Sequence, residues 1–158
     1  WSNKKGLHDF IKLSGLIKDN QVIILIGLTP KQISQLPENI TGIERTSNIQ
    51  ELATFYSMAD IFLNLTYADT FPTTNLEALA CGTPIITYDT GGSIESVFDE
   101  TGKIVKKGNL PEILKAIEQL SIKDSKFYKI KCSQLAKKKY DMITQFDKYR
   151  IIYENILK

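Results

Sequence analysis

The chain is poor in the residues that build metal centres and disulfide frameworks: its 158 residues include two cysteines, one histidine and one tryptophan. Cys81 and Cys132 are too few for a disulfide scaffold and lack metal-ligand spacing, which excludes cysteine-stapled secreted domains and fits a reducing cytoplasm. No apolar run approaches the roughly 18 residues of a membrane span, and Trp1-Ser-Asn-Lys-Lys5 does not introduce a signal-peptide core. Low-complexity linkers and internal repeats are also missing. His8, the single histidine, falls one turn into an expected helix without an acid or nucleophile beside it, so a structural or surface role is expected.

What is present is an ordinary globular composition, 42% hydrophobic and 24% charged, in a chain of single-domain length. The net charge of +2 conceals an asymmetry: from Lys123 onward there are 10 Lys or Arg against 4 Asp or Glu, and the rest has 10 against 14. The bland reading of this basic segment is a solvated helix face; the sharper one is a patch that approaches anionic lipid or an acidic partner. Without an interleaved recognition motif, nucleic acid is not an expected partner.

Hydrophobic periodicity gives alternating strands and helices. Leu7, Phe10, Ile11, Leu13 and Ile17 keep helical spacing after Lys4-Lys5-Gly6, and Gln21–Gly27 is a continuous apolar run of the kind buried on both faces of a parallel sheet. Thr29-Pro30 opens a short helix, and Ile40–Arg45 is a weaker strand. Ser47 and Gln50 have capping-box spacing ahead of a helix with Leu52, Phe55 and Tyr56. Ile61–Leu65 and Pro84–Tyr88 read as strands flanking a helix from about Thr74 to Cys81, which Gly82 stops. A Gly91-Gly92 turn, an edge strand Gly102–Lys106 and a periodic helix capped by Asn109 follow. Two further helices, about Lys126–Tyr140 and Ile143–Leu157, form a C-terminal segment over 126–158, in which Tyr140, Tyr149 and Tyr153 are expected to pack. The expected fold is α/β, a Rossmann-like three-layer domain over 1–158 with a mostly parallel sheet and helices on both faces. The loops Gly27–Thr29, Thr66–Thr74 and Asp89–Ser93 all follow strands, so they meet at one ligand-binding edge.

The densest motif is Asp69-Thr-Phe-Pro-Thr-Thr-Asn-Leu-Glu77, running on into Ala-Leu-Ala-Cys-Gly-Thr-Pro84. It places one carboxylate before a helix and another in that helix's first turn. Amides at a helix N-terminus attract phosphate, and carboxylates accept sugar hydroxyls. At these residues the chain resembles the C-terminal, donor-binding domain of the retaining GT-B glycosyltransferases, from about Lys4 to Gly108 and most closely from Ala59 to Ser96. That family carries two acids with seven residues between them, as Asp69 and Glu77 are here. The first acid is usually glutamate, so Asp69 is a shortened version.

The resemblance implies that Glu77 accepts ribose hydroxyls of a nucleoside diphosphate sugar and Asp69 faces the donor sugar. Amides around Thr73, Thr74 and Asn75, in the Phe71-Pro72 turn, hold the diphosphate. Lys5, in the matching Lys-Gly step, meets charge developing on the leaving group. Lys5 and Asp69 are thus the catalytic candidates. The base lies against Gly27 and the Arg45–Asn48 turn with Ser47, while Gly91, Gly92 and Glu95 border the cleft. It further implies no cofactor or divalent metal, polysaccharide biosynthesis in the cytoplasm or at the membrane periphery, and an N-terminal acceptor domain joined to this one. The family's first C-domain strand, central in its sheet, would precede residue 1. Without it the expected outcome is a rearranged sheet or a dimer through an exposed edge. Two other readings stay open: a non-catalytic interaction or regulatory module on a sugar-nucleotide fold, and a sugar-nucleotide epimerase, which one histidine disfavours.

Overall fold

A computed structural model describes residues 1–122 and 124–157; Lys158, the end of the expected C-terminal segment, lies outside them. The element order is α1 (Leu7–Ser14), β1 (Ile23–Ile26), α2 (Pro30–Ile33), β2 (Ile40–Ile43), α3 (Ile49–Met58), β3 (Phe62–Asn64), α4 (Thr73–Ala80), β4 (Ile85–Tyr88), β5 (Gly102–Val105), α5 (Leu110–Ser121), α6 (Ser125–Tyr140) and α7 (Met142–Ile156). Short 3-10 segments lie at Asn3–Lys5 and Gly91–Ser96. Every strand pairing is parallel and helices cover both faces, the α/β architecture expected.

The strands form two sheets, β1-β2 and β3-β4-β5, with no ladder joining them among the described residues. β4 is the centre of the larger sheet and all four of its residues, Ile85, Ile86, Thr87 and Tyr88, are fully buried. Its neighbours are set by register, Ile85 opposite both Phe62 and Gly102. β1 departs from the sequence reading. It is buried on alternate residues only, with Ile23 and Leu25 inside and Ile24 37% exposed, because successive side chains face opposite sides of the sheet and one side is less covered.

Residues 1–6 join the two sheets at the carboxyl ends of their strands. Trp1 Nε1 donates to the Ile26 carbonyl at the end of β1 at 2.8 Å. Lys4 offers its carbonyl to the Tyr67 amide (2.8 Å) and the Thr66 hydroxyl (3.0 Å), just beyond β3. Gly6 then sits so close to β3 that a Cβ would lie 2.2 Å from the Leu65 carbonyl oxygen, at a φ of +72°. No side chain fits there, so the Lys-Gly step is fixed by packing as well as by its turn.

α4 and α6 pack together across the end of α4, where Gly82 takes the expected left-handed φ of 83°. The α3 cap differs from the sequence reading by one residue: Asn48, not Ser47, accepts from the Glu51 amide, and Glu51 reaches back to the Ser47 amide at 2.5 Å. Asn caps as well as Ser, and Asn48 has Glu three residues on. The expected packing of Tyr149 and Tyr153 is also corrected. They are 60% and 64% exposed, since α7 buries none of its described residues, whereas Tyr140 is half-buried and donates to the Glu95 carbonyl at 3.2 Å. No described helix is long and apolar enough to cross a membrane.

Candidate functional site

The loop 65–72, between β3 and α4, is pinned from three sides. Thr66 and Tyr67 hold the Lys4 carbonyl, as above, and the Thr90 hydroxyl donates to the Tyr67 carbonyl at 3.0 Å. Beneath the loop, the buried Asp9 carboxylate accepts from the Tyr67 and Tyr88 hydroxyls through a single oxygen, Oδ2, at 2.7 Å each. Burial first, and then these bonds to Asp9, hold the Tyr88 phenol far above its ordinary ionisation range.

Gly91 and Gly92 supply the third contact. A Cβ on Gly91 would lie 2.0 Å from the Asp69 carbonyl oxygen, and one on Gly92 would lie 1.8 Å from that of Thr70. Backbone therefore packs on backbone, which no other residue type permits. The sequence motif reads as a turn bordering a cleft; its further role is to seat the Asp69 loop.

This scaffold brings Lys5 and Asp69, 64 residues apart in sequence, to 3.4 Å between Nζ and Oδ2. Lys5 is exposed and Asp69 largely covered, at 59% and 18% of the side chain. Asp69 borders an open surface depression lined by Tyr67, Thr70, Thr90, Gly91 and Lys107 among others. Lys107 was missed in the sequence, although it follows a strand at the same edge as the other loops, which is the signal that points to it.

Phe71 is 38% exposed with its ring centroid 6.1 Å from Tyr140, and Pro72 is buried as the residue before α4. No side chain caps α4, which leaves the exposed Thr73 and Thr74 at an open helix N-terminus. Asn75 differs from that pair. Its amide donates to the Pro72 carbonyl at 3.1 Å, and its fully buried side chain takes a bond from Asn64 Nδ2 and donates to Ser96 Oγ, both at 2.8 Å. It ties α4 to β3 and to the Gly91–Ser96 segment, which leaves the amides of Thr73 and Thr74 at the open end of α4.

Glu77 lies in the second turn of α4 rather than the first, because the helix starts at Thr73. Its carboxylate is exposed and accepts from the Tyr56 hydroxyl at 3.0 Å. Gly27, at a φ of 93°, ends β1 under Trp1, and Ser47 is exposed at the start of α3. Both lie at carboxyl ends of strands of the smaller sheet. Glu95 is exposed on the Gly91–Ser96 segment, and His8 is at the surface as expected. Among the described residues no group of three or more His, Cys, Asp or Glu is placed to hold a metal ion.

Parallel strand clusters with helices on both faces, and loops gathered at the carboxyl ends of the strands, define a Rossmann-like α/β domain. The chain belongs to the glycosyl transferases group 1, whose family model matches residues 1–122. It is 35% identical over 131 residues to a D-inositol 3-phosphate glycosyltransferase of Arthrobacter sp. (strain FB24), an alignment covering 72% of this chain and 31% of that protein. It is 28% identical over 126 residues to the capsular polysaccharide biosynthesis glycosyltransferase CapM of Staphylococcus aureus, covering 73% of this chain and 33% of the other. The chain thus spans about a third of these relatives' length. In fold it is similar to Anabaena HepE in complex with UDP-glucose, with a TM-score of 0.80 at 18% identity over 98% of this chain and 46% of that one.

Proposed function

We propose that this chain is the donor-binding part of a retaining glycosyltransferase that takes a nucleoside diphosphate sugar and, together with an acceptor-binding domain, transfers the sugar to a growing glycan. The observation that carries the reading is the 3.4 Å approach of Lys5 to Asp69 beside the open end of α4. A cation, two exposed amide-bearing residues and two carboxylates stand where a sugar diphosphate needs a charge partner, phosphate donors and hydroxyl acceptors.

In this reading Glu77 takes the ribose hydroxyls and Asp69 those of the sugar, while Thr73 and Thr74 hold the diphosphate. Gly27 and Ser47 flank the base. As the glycosidic bond breaks, the departing diphosphate gains charge, and Lys5 stabilises it more in the transition state than in the ground state. The proposal uses no metal and no further cofactor. A domain that orients the donor alone lacks the gain from holding both reactants, so this chain binds donor without appreciable transfer. Support for a uridine nucleotide comes from the UDP-glucose held by the structural relative, and support for a glycan product from the capsular relative's name. A cytoplasmic or membrane-peripheral location goes with that product.

Calorimetric titration with UDP, GDP and their sugars tests the reading. Wild-type chain should bind one of them equally well with and without EDTA, and Glu77→Ala and Asp69→Ala should each weaken binding about tenfold or more. Absence of binding by a folded chain rejects it.

A further inference from the structure

We infer that Tyr56 is a positioning residue for the nucleotide site, its hydroxyl fixing the Glu77 carboxylate in the orientation that receives the ribose. The inference rests on the proposed role of Glu77. Glu77 is exposed on α4, and a free glutamate at the surface samples many rotamers. Among the described residues the hydrogen bond that holds its carboxylate is the one from Tyr56, 3.0 Å from Oε2, reaching across from α3.

Tyr56 is itself held at two points apart from that bond, which is what a positioning group requires. Its ring meets Phe62 of β3 edge-on, with centroids 5.4 Å apart and planes at 72°. Its carbonyl accepts from the Thr83 hydroxyl, just after α4. Its own hydroxyl then has one direction in which to point. A carboxylate offers about four acceptor positions, so a single phenol donor still leaves Oε1 and part of Oε2 for two ribose hydroxyls. Burial, and then the neighbouring Glu77 charge, push the phenol well above its ordinary range, which keeps it a donor throughout the pH range of the cytoplasm.

A tyrosine that merely tied α3 to α4 would affect folding but not the state of the carboxylate, and the two roles separate experimentally. Tyr56→Phe keeps the ring and the Phe62 contact. Urea denaturation of Tyr56→Phe reads its folding cost separately from any effect on binding. With UDP or GDP, whichever binds, Tyr56→Phe should weaken affinity about three- to tenfold, and the same change on a Glu77→Ala background should cost nothing further. Nucleotide affinity unchanged in Tyr56→Phe, with Glu77→Ala weakening it, overturns the inference and leaves the proposed function standing. An equal loss in both backgrounds also overturns it, by showing that Tyr56 acts through something other than Glu77. A folded chain that binds neither UDP nor GDP rejects the ribose role, and with it the proposed function.

Discussion

The two sheets carry opposite ends of the proposed ligand site on foundations of different quality. In β3-β4-β5 the central strand is paired on both sides and fully buried, and the loops at its carboxyl end, with Asp69, Gly91 and Gly92, are seated backbone on backbone. In β1-β2 one ladder supports the pair, Ile24 is 37% exposed, and the link to the larger sheet runs through Trp1 and Lys4. The sugar and phosphate end therefore stands on rigid backbone. The base end stands on a smaller unit, joined to the larger by N-terminal hydrogen bonds and by a shared core in which Ile23, Leu25 and Ile40 cluster with Phe10 and Leu13.

The largest expected contrast is between Ile86 and Ile24, matched side chains on the two sheets. Ile86→Ala opens a cavity in a fully buried position and should cost about 3–4 kcal/mol in urea denaturation, whereas Ile24→Ala should cost under about 1 kcal/mol. Equal costs would break the comparison, because they would mean that the exposed face of β1 carrying Ile24 is covered in solution, as packing against a second copy would do. Size-exclusion chromatography of both variants distinguishes that case.

Glycine substitutions give the next effect. Gly92→Ala forces backbone apart at the Thr70 carbonyl and should destabilise by about 2–4 kcal/mol while displacing the Asp69 loop, so that nucleotide binding is lost with stability. Gly27→Ala meets only the Trp1 ring nitrogen at 3.7 Å, and its cost is the strain of a φ of +93°, about 1–2 kcal/mol. A Gly92→Ala protein with unaltered stability and binding would show that the loop is not set by that contact.

Alkaline pH probes the core beneath the larger sheet. Burial pushes the fully buried Cys132 thiol from 9.0 up to about 12, so the folded state favours its neutral form. Because the folded value is the higher one, this contribution is fully present below pH 9.0 and is lost as pH rises from 9.0 towards about 12. The slope of stability against pH in that window should be smaller in Cys132→Ala, although this variant starts about 1 kcal/mol less stable from its small cavity. Identical slopes would mean that the thiol ionises alike in both states.

Much of this arrangement was legible in the sequence, for reasons that lie in local chemistry. Periodicity gave α5, and the Gly82-Thr-Pro84 stop gave the end of α4, because each is set within one turn of chain. The Asp69–Glu77 run showed its acids and its helix start for the same reason. Hidden were relations between distant segments: Tyr56 looked like one more apolar position on α3, and Asp9 gave no sign of receiving Tyr67 and Tyr88. Asn75 read as an amide donor to the diphosphate because spacing cannot show that this amide already donates to the Pro72 carbonyl. Likewise, the apolar run of β1 does not show which of its faces is less covered.

The smallest expected effect on stability, and the most specific on binding, belongs to Lys5. Its pair with Asp69 is solvent-exposed on the lysine side, so breaking it with Lys5→Met should change stability by less than about 0.5 kcal/mol. Affinity for a nucleoside diphosphate should nevertheless fall about three- to tenfold, because the diphosphate brings more negative charge than Asp69 alone and draws correspondingly more from one cation. The loss should shrink as salt is raised from 0.01 M to about 0.15 M, where the screening length falls from about 30 Å to about 8 Å. Thr74→Pro is the partner measurement, since it removes an α4 amide without touching charge and its effect should be independent of salt. If Lys5→Met binds as wild type does at both salt concentrations, the lysine is only the solvated neighbour of Asp69, and the phosphate end of the site rests on the helix amides alone.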